Sequence, residues 1–335
     1  MKRLFSDWKL YAGILISILF MFLAFRKVEP VKMFAAFSAM RIVYLVPMIL
    51  VMFLSHWLRA VRWRYLLSPV RRVGTAPLFT SLIIGYMFNI FLPAHLGEFV
   101  RAFVLSAKKS LSASSIFATI VVERVIDVLT LLLLLALTMV FFPFPGWVRR
   151  SGLLTFAGLM LLFVMLLLMK RHRTRASRLL ERVPRIGSRL SEWQLAFTQG
   201  LAPLSGRWDY AVVFVLSVAI WACYGIIFQL LFFSFEFHLP WIASLVTLVI
   251  TTISVVVPSS PGYVGTYHYL CQISLGLFGI GESAALSYAF VAHGINFLPV
   301  LVLGLIFVSR EGRSFRALRA GATEIKSHHS AEAGE

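Results

Sequence analysis

The sequence predicts an all-α polytopic membrane protein of about six full transmembrane helices, with two re-entrant helix hairpins entering from opposite sides. Three observations predict it. Apolar side chains make up 59% of the 335 residues and charged ones only 14%, against about 45–50% and about 25% in soluble domains. The apolar residues fall in blocks near the roughly 20 residues that a helix needs to cross a hydrocarbon core. The basic residues gather in short clusters between those blocks, the pattern by which Lys and Arg orient spans with the clusters in the cytoplasm.

Taken in order, six blocks read as crossings: about 10–25, 42–58, 120–142, 152–169, 209–234 and 284–308. The first follows Lys2, Arg3 and Lys9 and closes at Arg26-Lys27 with no small-residue cleavage site, so it reads as an uncleaved span. An even number of spans puts both termini on one side. With that side cytoplasmic, the outer face receives only Arg26, Lys27, Lys32, Arg41, Arg149 and Arg150 of the 32 basic residues. The expected location is therefore the cytoplasmic (inner) membrane, multi-pass, with both termini inside.

Two apolar regions do not fit as crossings. One, about 78–105, is interrupted by Asn89, Pro93, His95, Gly97, Glu98 and Arg101. The other, about 241–280, is interrupted by Pro258-Ser259-Ser260-Pro261-Gly262 and Gly265. Each is too long for one helix and broken in its middle, and reading either as a single crossing would invert the charge bias downstream. They read as re-entrant hairpins, the first from the cytoplasm and the second from outside. Irregular backbone at membrane depth has to be buried in protein or line a wet cavity, and opposed broken helices hint at an inverted repeat. Residues 1–310 then form a single transmembrane domain. The basic loop of about 170–208 reads as a surface helix on the inner leaflet. Residues 311–335 form a cytoplasmic basic and polar tail, expected to be disordered at its end.

Composition also excludes classes of function. The net charge of +18 is spread between spans and not over one folded face, so nucleic acid is not an expected partner. Cys223 and Cys271 sit inside apolar stretches and read as small buried side chains. His328-His329 is too short a pair to argue a metal, and no phosphate-binding glycine loop occurs. No cofactor is expected.

The intramembrane charges carry the functional signal. Glu98, Arg101, Glu123, Arg124 and Asp127 would cost about 2.5–3.5 kcal/mol each at mid-bilayer, so they have to face protein, water or a ligand. Glu98 and Arg101 are one helical turn apart, and Glu123 and Asp127 share a face. Two readings stay open: internal neutralisation that locks the first hairpin to its neighbour, or a headgroup site in which arginine is only partly neutralised. The planar guanidinium fork suits phosphate, and Asn89 and His95 would add donors. Arg59 and Arg62 read either as an interfacial anchor or as the entry guard for an anionic headgroup. Ser260, Pro261, Gly262, Gly265 and His268 form the second breaker, where freed carbonyls and hydroxyls can line a cavity. His293 and Asn296 are explained by helix-to-helix hydrogen bonding or by a site role.

These motifs in order, Asn89-x-x-Leu92-Pro93-x-x-x-Gly97-Glu98-x-x-Arg101, Glu123-Arg124-x-x-Asp127 and Pro258-x-x-Pro261-Gly262-x-x-Gly265, with Arg59-x-x-Arg62-Trp63, resemble the flippase-like family of the lysylphosphatidylglycerol synthase transmembrane region. The resemblance runs from about residue 10 to 310. It implies a membrane domain that moves lipids or lipid-linked intermediates between leaflets, with a membrane lipid as substrate and lipid-biosynthesis enzymes as candidate partners. The chain ends soon after its last span, so lysyl transfer is not expected of it. Where many members carry a Glu after the Pro-Gly-x-x-Gly turn, this chain has His268. The expected function is a lipid translocator that binds an anionic or phosphate-containing headgroup at a midplane site between the hairpins. The alternative is a membrane-embedded transferase acting on a polyprenyl-phosphate or phospholipid, with Glu123 and Asp127 as base or magnesium ligands. A non-transporting scaffold would explain the spans but not the intramembrane charges.

Overall fold

The computed structural model describes residues 8–92, 95–109, 111–143, 146, 150, 157–158, 161, 207–252, 254 and 260–332, and gives side chains within 13–312. Among these residues all regular structure is helical. The order is α1 (Trp8–Phe25), α2 (Pro30–Ala39), α3 (Leu45–Leu67) after a 3-10 turn at Ile42–Tyr44, α4 (Thr75–Phe91), α5 (Gly97–Lys109), α6 (Ala113–Phe141), α7 (Arg207–Ser234), α8 (Trp241–Thr252), a 3-10 turn at Pro261–Tyr263, α9 (Thr266–Gly276) and α10 (Glu282–Glu332). The expected span 152–169 apart from residues 157, 158 and 161, the basic loop short of Arg207, Pro93, and Pro258-Ser259 lie outside the described residues.

Three of the described helical stretches are long and apolar enough to cross a membrane: Ile42–Leu67, Trp208–Ser234 and Glu282–Gly312. α6 matches them in length at 29 residues but carries Glu123, Arg124 and Asp127 along its middle. Their outer faces are apolar. Leu15, Ile18, Leu19 and Phe22 of α1, Val46, Leu50 and Leu54 of α3, and Leu298, Val302 and Leu305 of α10 are all exposed, at the three- and four-residue spacing of one helix face. Water would not tolerate so much contiguous apolar surface, and lipid does. The chain is a membrane protein with transmembrane helices.

Three boundaries differ from the sequence reading. The second crossing does not stop before Arg59: helix continues through Leu67 and ends at Ser68-Pro69, because Arg, Trp and Leu sustain a helix and Pro cannot extend one. A short amphipathic helix, α2, starts with Pro at its first position between the first two crossings. The last helix continues through Glu332, beyond where the tail was expected to lose order, since the segment is rich in Ala, Arg and Glu, which favour helix.

Each region set aside from the crossings forms two helices with a break between them, α4–α5 and α8–α9, and the members of each pair pack on one another. In the first pair, Gly97 lies against the Gly85 carbonyl oxygen, and a Cβ on Gly85 would stand 2.7 Å from the Arg101 Cβ. Neither position has room for a side chain, so the backbones approach closely. Asn89 Oδ1 accepts the Gly97 amide at 2.7 Å and ties the end of α4 to the start of α5. The main core is formed by α3, α7, α8, α9 and α10 through Met48, Met52, Phe228, Phe232, Leu248 and Tyr288. The Tyr288 hydroxyl is satisfied by the Phe228 carbonyl at 3.1 Å. A second core, with Trp63, Leu78, Leu105 and Ile120, joins α3, α4, α5 and α6, the helices that carry the charged residues.

Candidate functional site

Residues of α3, α5 and α6 converge on a buried ionic cluster. α3 supplies Arg59 and Arg62, α5 supplies Glu98 and Arg101, and α6 supplies Glu123, Arg124 and Asp127. Helical spacing dictates the convergence: residues three or four apart face the same way, so each helix presents its charges as one stripe. Arg59 Nη1 meets Asp127 Oδ2 at 2.8 Å, and Arg62 Nη2 meets Asp127 Oδ1 at 2.8 Å. Glu123 is fully buried and receives Arg101 Nη2 at 2.7 Å, Arg124 Nη2 at 3.4 Å and Arg62 Nη2 at 3.5 Å. Glu98 lies 3.1 Å from Arg124 Nη2 and 3.5 Å from Arg101 Nη1.

Four guanidiniums thus face three carboxylates, and the cluster carries a formal excess of one positive charge. Its donors are also in excess. The Nε–H of Arg59, Arg62, Arg101 and Arg124 and both ring nitrogens of the buried His56 have no hydrogen-bond partner among the described residues. Neutral groups absorb part of the excess. Arg62 Nη1 donates to Ser217 Oγ at 2.9 Å, the Arg101 guanidinium stacks 3.6 Å over Trp63, and Arg124 Nη2 reaches the Tyr86 hydroxyl at 3.4 Å. Three of the arginines are buried, while the Arg124 side chain is 41% exposed. The positive excess therefore opens outward at Arg124.

The two breaker segments meet beside this opening. Tyr263, in the second, places its hydroxyl 3.2 Å from His95 Nε2 and 3.3 Å from Nδ1, in the first. Gly262 lies over the Ile90 carbonyl at the end of α4. His95 and Tyr263 both hold left-handed backbone, φ 56° and 57°, a conformation that costs a non-glycine residue about 1–3 kcal/mol.

The other residues of the second breaker point elsewhere. Ser17 of α1 donates to Ser260 Oγ and accepts the Ser260 amide, each at 2.8 Å. Gly265, at φ 90°, presses on the Ser17 carbonyl so closely that a Cβ would collide with it. His268 is buried away from the arginines, its ring 4.8 Å from the stacked His293 and 4.4 Å from Phe290. Asn296 donates to the Ala292 carbonyl of its own helix at 2.8 Å.

The sequence-selected residues accordingly divide. Arg59, Arg62, Glu98, Arg101, Glu123, Arg124 and Asp127 share one cluster, with His95 at its edge. Asn89 holds the first hairpin together, Ser260 and Gly265 tie the second to α1, and His268 stands apart. Arg59 and Arg62 are inside the cluster and not at an exposed end. His56, Tyr86, Ser217 and Tyr263 were not singled out. His56 and Tyr263 carried a signal, lying within three residues of Arg59 and between Gly262 and Gly265. Tyr86 and Ser217 carried none.

The sequence pattern described as the lysylphosphatidylglycerol synthase TM region matches residues 10–304. A UPF0104 membrane protein of Methanothermobacter thermautotrophicus is 23% identical over 297 residues, 81% of this chain and 86% of that relative. The Glycosyltransferase AglD of Haloferax volcanii is 29% identical over 121 residues, which is 36% of this chain and 19% of that protein. No solved structure matches.

Proposed function

The chain belongs to the lysylphosphatidylglycerol synthase TM region family, and from that premise we propose that it is a flippase-like lipid translocator whose ionic cluster receives an anionic or phosphate-bearing headgroup. The observation that carries this reading is the imbalance of four arginines against three carboxylates, with Arg124 at the opening. An unpaired charge taken out of water costs several kcal/mol. A structural lock would favour equal numbers; a binding site benefits from one positive charge left over. A phosphate oxygen pair would accept from Arg124 in the two-pronged manner that a guanidinium offers, while the acyl chains lie against the apolar outer faces.

In this reading α4–α5 and α8–α9 are re-entrant hairpins that enter from opposite faces. The headgroup moves past their meeting point while both termini stay cytoplasmic. The transferase alternative needs a carboxylate free to act as a base or to hold magnesium, whereas Glu98, Glu123 and Asp127 are each engaged by at least two arginines. The name of the Haloferax relative does not change that balance, because the match covers a minor part of it.

The test is lipid mass spectrometry on the purified protein, with Arg124→Gln as the comparison. The wild type should be enriched in one anionic or polyprenyl-phosphate lipid over the bulk membrane, and the variant should lose that enrichment. The enriched lipid, fluorescently tagged, should then equilibrate between leaflets faster in vesicles containing the wild type than in those containing the variant. The same bulk-like lipid profile in both proteins would sink the proposal.

A further inference from the structure

The ionic cluster uses neither His268 of α9 nor His293 of α10, yet these two imidazoles lie together where the helices meet. Their ring centroids are 4.8 Å apart and their planes 21° from parallel. Phe297 stacks on His293 at 4.1 Å, Phe290 packs on His268 at 4.4 Å, and Tyr267 meets His293 edge to face at 5.2 Å. His268 is buried, and Cys271, one turn further along α9, is fully enclosed in the core it shares with Tyr288, Ala289 and Ala292 of α10.

The stack is fastened to the second breaker at both of its ends. His268 Nδ1 accepts the Gly265 amide at 3.4 Å, and the Phe297 ring lies beside Gly262. Gly265 cannot follow a moving histidine, since it is pressed against the Ser17 carbonyl of α1. A neutral imidazole has one nitrogen that accepts, whereas both nitrogens of an imidazolium donate. A proton on His268 Nδ1 therefore removes the Gly265 bond and sets one N–H group against another.

No carboxylate stands ready to neutralise such a proton. α1 has Lys9 and Tyr11 at its start and no ionisable side chain from Gly13 to Phe25, and α8 has none along its length. α9 itself adds only the hydroxyls of Tyr267 and Tyr269 and the Cys271 thiol, and Tyr263 in the breaker turn faces His95. On α10, Glu282 lies about 16 Å along the helix from His293 and pairs with Lys27. The helices packed on α10 bring Glu29 and Lys32 of α2, which pair with each other, Tyr86 of α4, Tyr224 of α7, and His56 with the arginines of α3. Among the described residues none of these bonds or pairs with either imidazole, and His293 Nδ1 has no hydrogen-bond partner. Nor, among them, does a third His, Cys, Asp or Glu join the two rings to hold a metal ion. An imidazolium held here is short of both water and counter-charge, and the shortage is relieved when α9 draws away from α10.

We propose that His268 and His293 form a proton-binding joint, at which uptake of one proton frees the Gly265 amide and parts α9 from α10. One proton is the limit, because two imidazolium rings 4.8 Å apart repel. Histidine titrates between about pH 5 and 8, so the joint responds within that range. It is independent of the lipid reading and of what the arginines bind.

The two cysteines are buried, Cys271 in the joint and Cys223 on α7, so the intact protein in nanodiscs can be probed without substitution. A small uncharged thiol reagent is applied at about pH 7.5 and at about pH 5, and peptide mass spectrometry reads the labelling of Cys271 against Cys223. The thiolate fraction falls in proportion at both cysteines as the pH drops, so the ratio isolates access. In the wild type the ratio should rise severalfold, up to about tenfold for each pH unit below about 6.5, as one proton bound only in the parted arrangement requires. The double variant His268→Gln, His293→Phe keeps an acceptor for Gly265 and a ring on Phe297 but has no group to titrate, and its ratio should stay flat. Should it fail to fold, histidine ring-nitrogen NMR of the wild type, assigned through the two single variants, should show imidazolium appearing at this pair over the pH range in which the ratio rises. A wild-type ratio equal at both pH values overturns the joint, as does a pair that stays neutral while the ratio rises. A rise that persists in the double variant overturns it too, and places the titrating group elsewhere, with the buried His56 as the first candidate.

Discussion

Three guanidiniums converge on Glu123, a side chain with no exposure, and its substitution should be costly for that reason. Glu123→Gln keeps the volume but strands Arg101 and Arg62 in a buried site, which costs about 3–5 kcal/mol. The expected result is a large drop in the unfolding midpoint in detergent. Lys27→Ala removes a 3.3 Å pair with Glu282 in which both side chains are substantially exposed, and the midpoint should move by less than about 1 kcal/mol equivalent. Equal shifts for the two would show that the cluster is solvated and not enclosed. At this scale the sequence was partly legible. Glu98, Arg101, Glu123 and Asp127 stand out because charges within apolar blocks have to be explained. Arg59 and Arg62 were harder to place, since arginines near the end of a hydrophobic block are the ordinary mark of an interface. Only the packing of α3 on α6 and α7 shows that they turn inward to Asp127 and Ser217.

Helix pairing depends on contacts that no local pattern announces. Gly97→Ala would drive a methyl group into the Gly85 carbonyl and the Asn89 side chain, and the backbone carbonyl cannot swing aside to relieve it. It should destabilise by about 1–3 kcal/mol, the cost of overpacking. Gly276→Ala, with nothing near its added Cβ, should stay within about 0.5 kcal/mol of wild type. Thermal unfolding of the two variants side by side checks the contrast, and similar losses would mean that α4 and α5 do not pack as closely as described. The breaks themselves were legible because Pro, Gly and polar residues interrupt apolar runs at 89–101 and 258–265. Gly85 was not, since one glycine inside an apolar helix looks the same whether it meets lipid or backbone. The meeting of His95 with Tyr263 was beyond any reading of the sequence, because it joins segments 168 residues apart and nothing local encodes their proximity.

Across the whole molecule, charge and helix length together set an orientation that can be measured. The stretch Ile42–Leu67 is 26 residues long, about 39 Å at about 1.5 Å per residue, more than the roughly 30 Å of a hydrocarbon core. Lys32 and Arg41 precede it, and Arg71 and Arg72 follow it. Polar contacts at each end keep the two sets apart. Arg41 pairs with Glu236 after α7, while Arg71 donates to the Lys109 carbonyl at 2.8 Å and Lys108 pairs with Glu311 of α10. In the proposed topology, which follows the positive-inside bias, the second end is the cytoplasmic one. Cysteine placed at Lys32 or at Arg72, both exposed, should give opposite results with a membrane-impermeant thiol reagent. In intact cells position 32 should label and position 72 should not, and opening the cells should expose position 72. The reverse pattern would leave the helix packing untouched but invert the protein in its membrane. Labelling of both positions from outside would show that Ile42–Leu67 does not cross, and the stripe of exposed Val46, Leu50 and Leu54 on that helix would then have to face protein and not lipid.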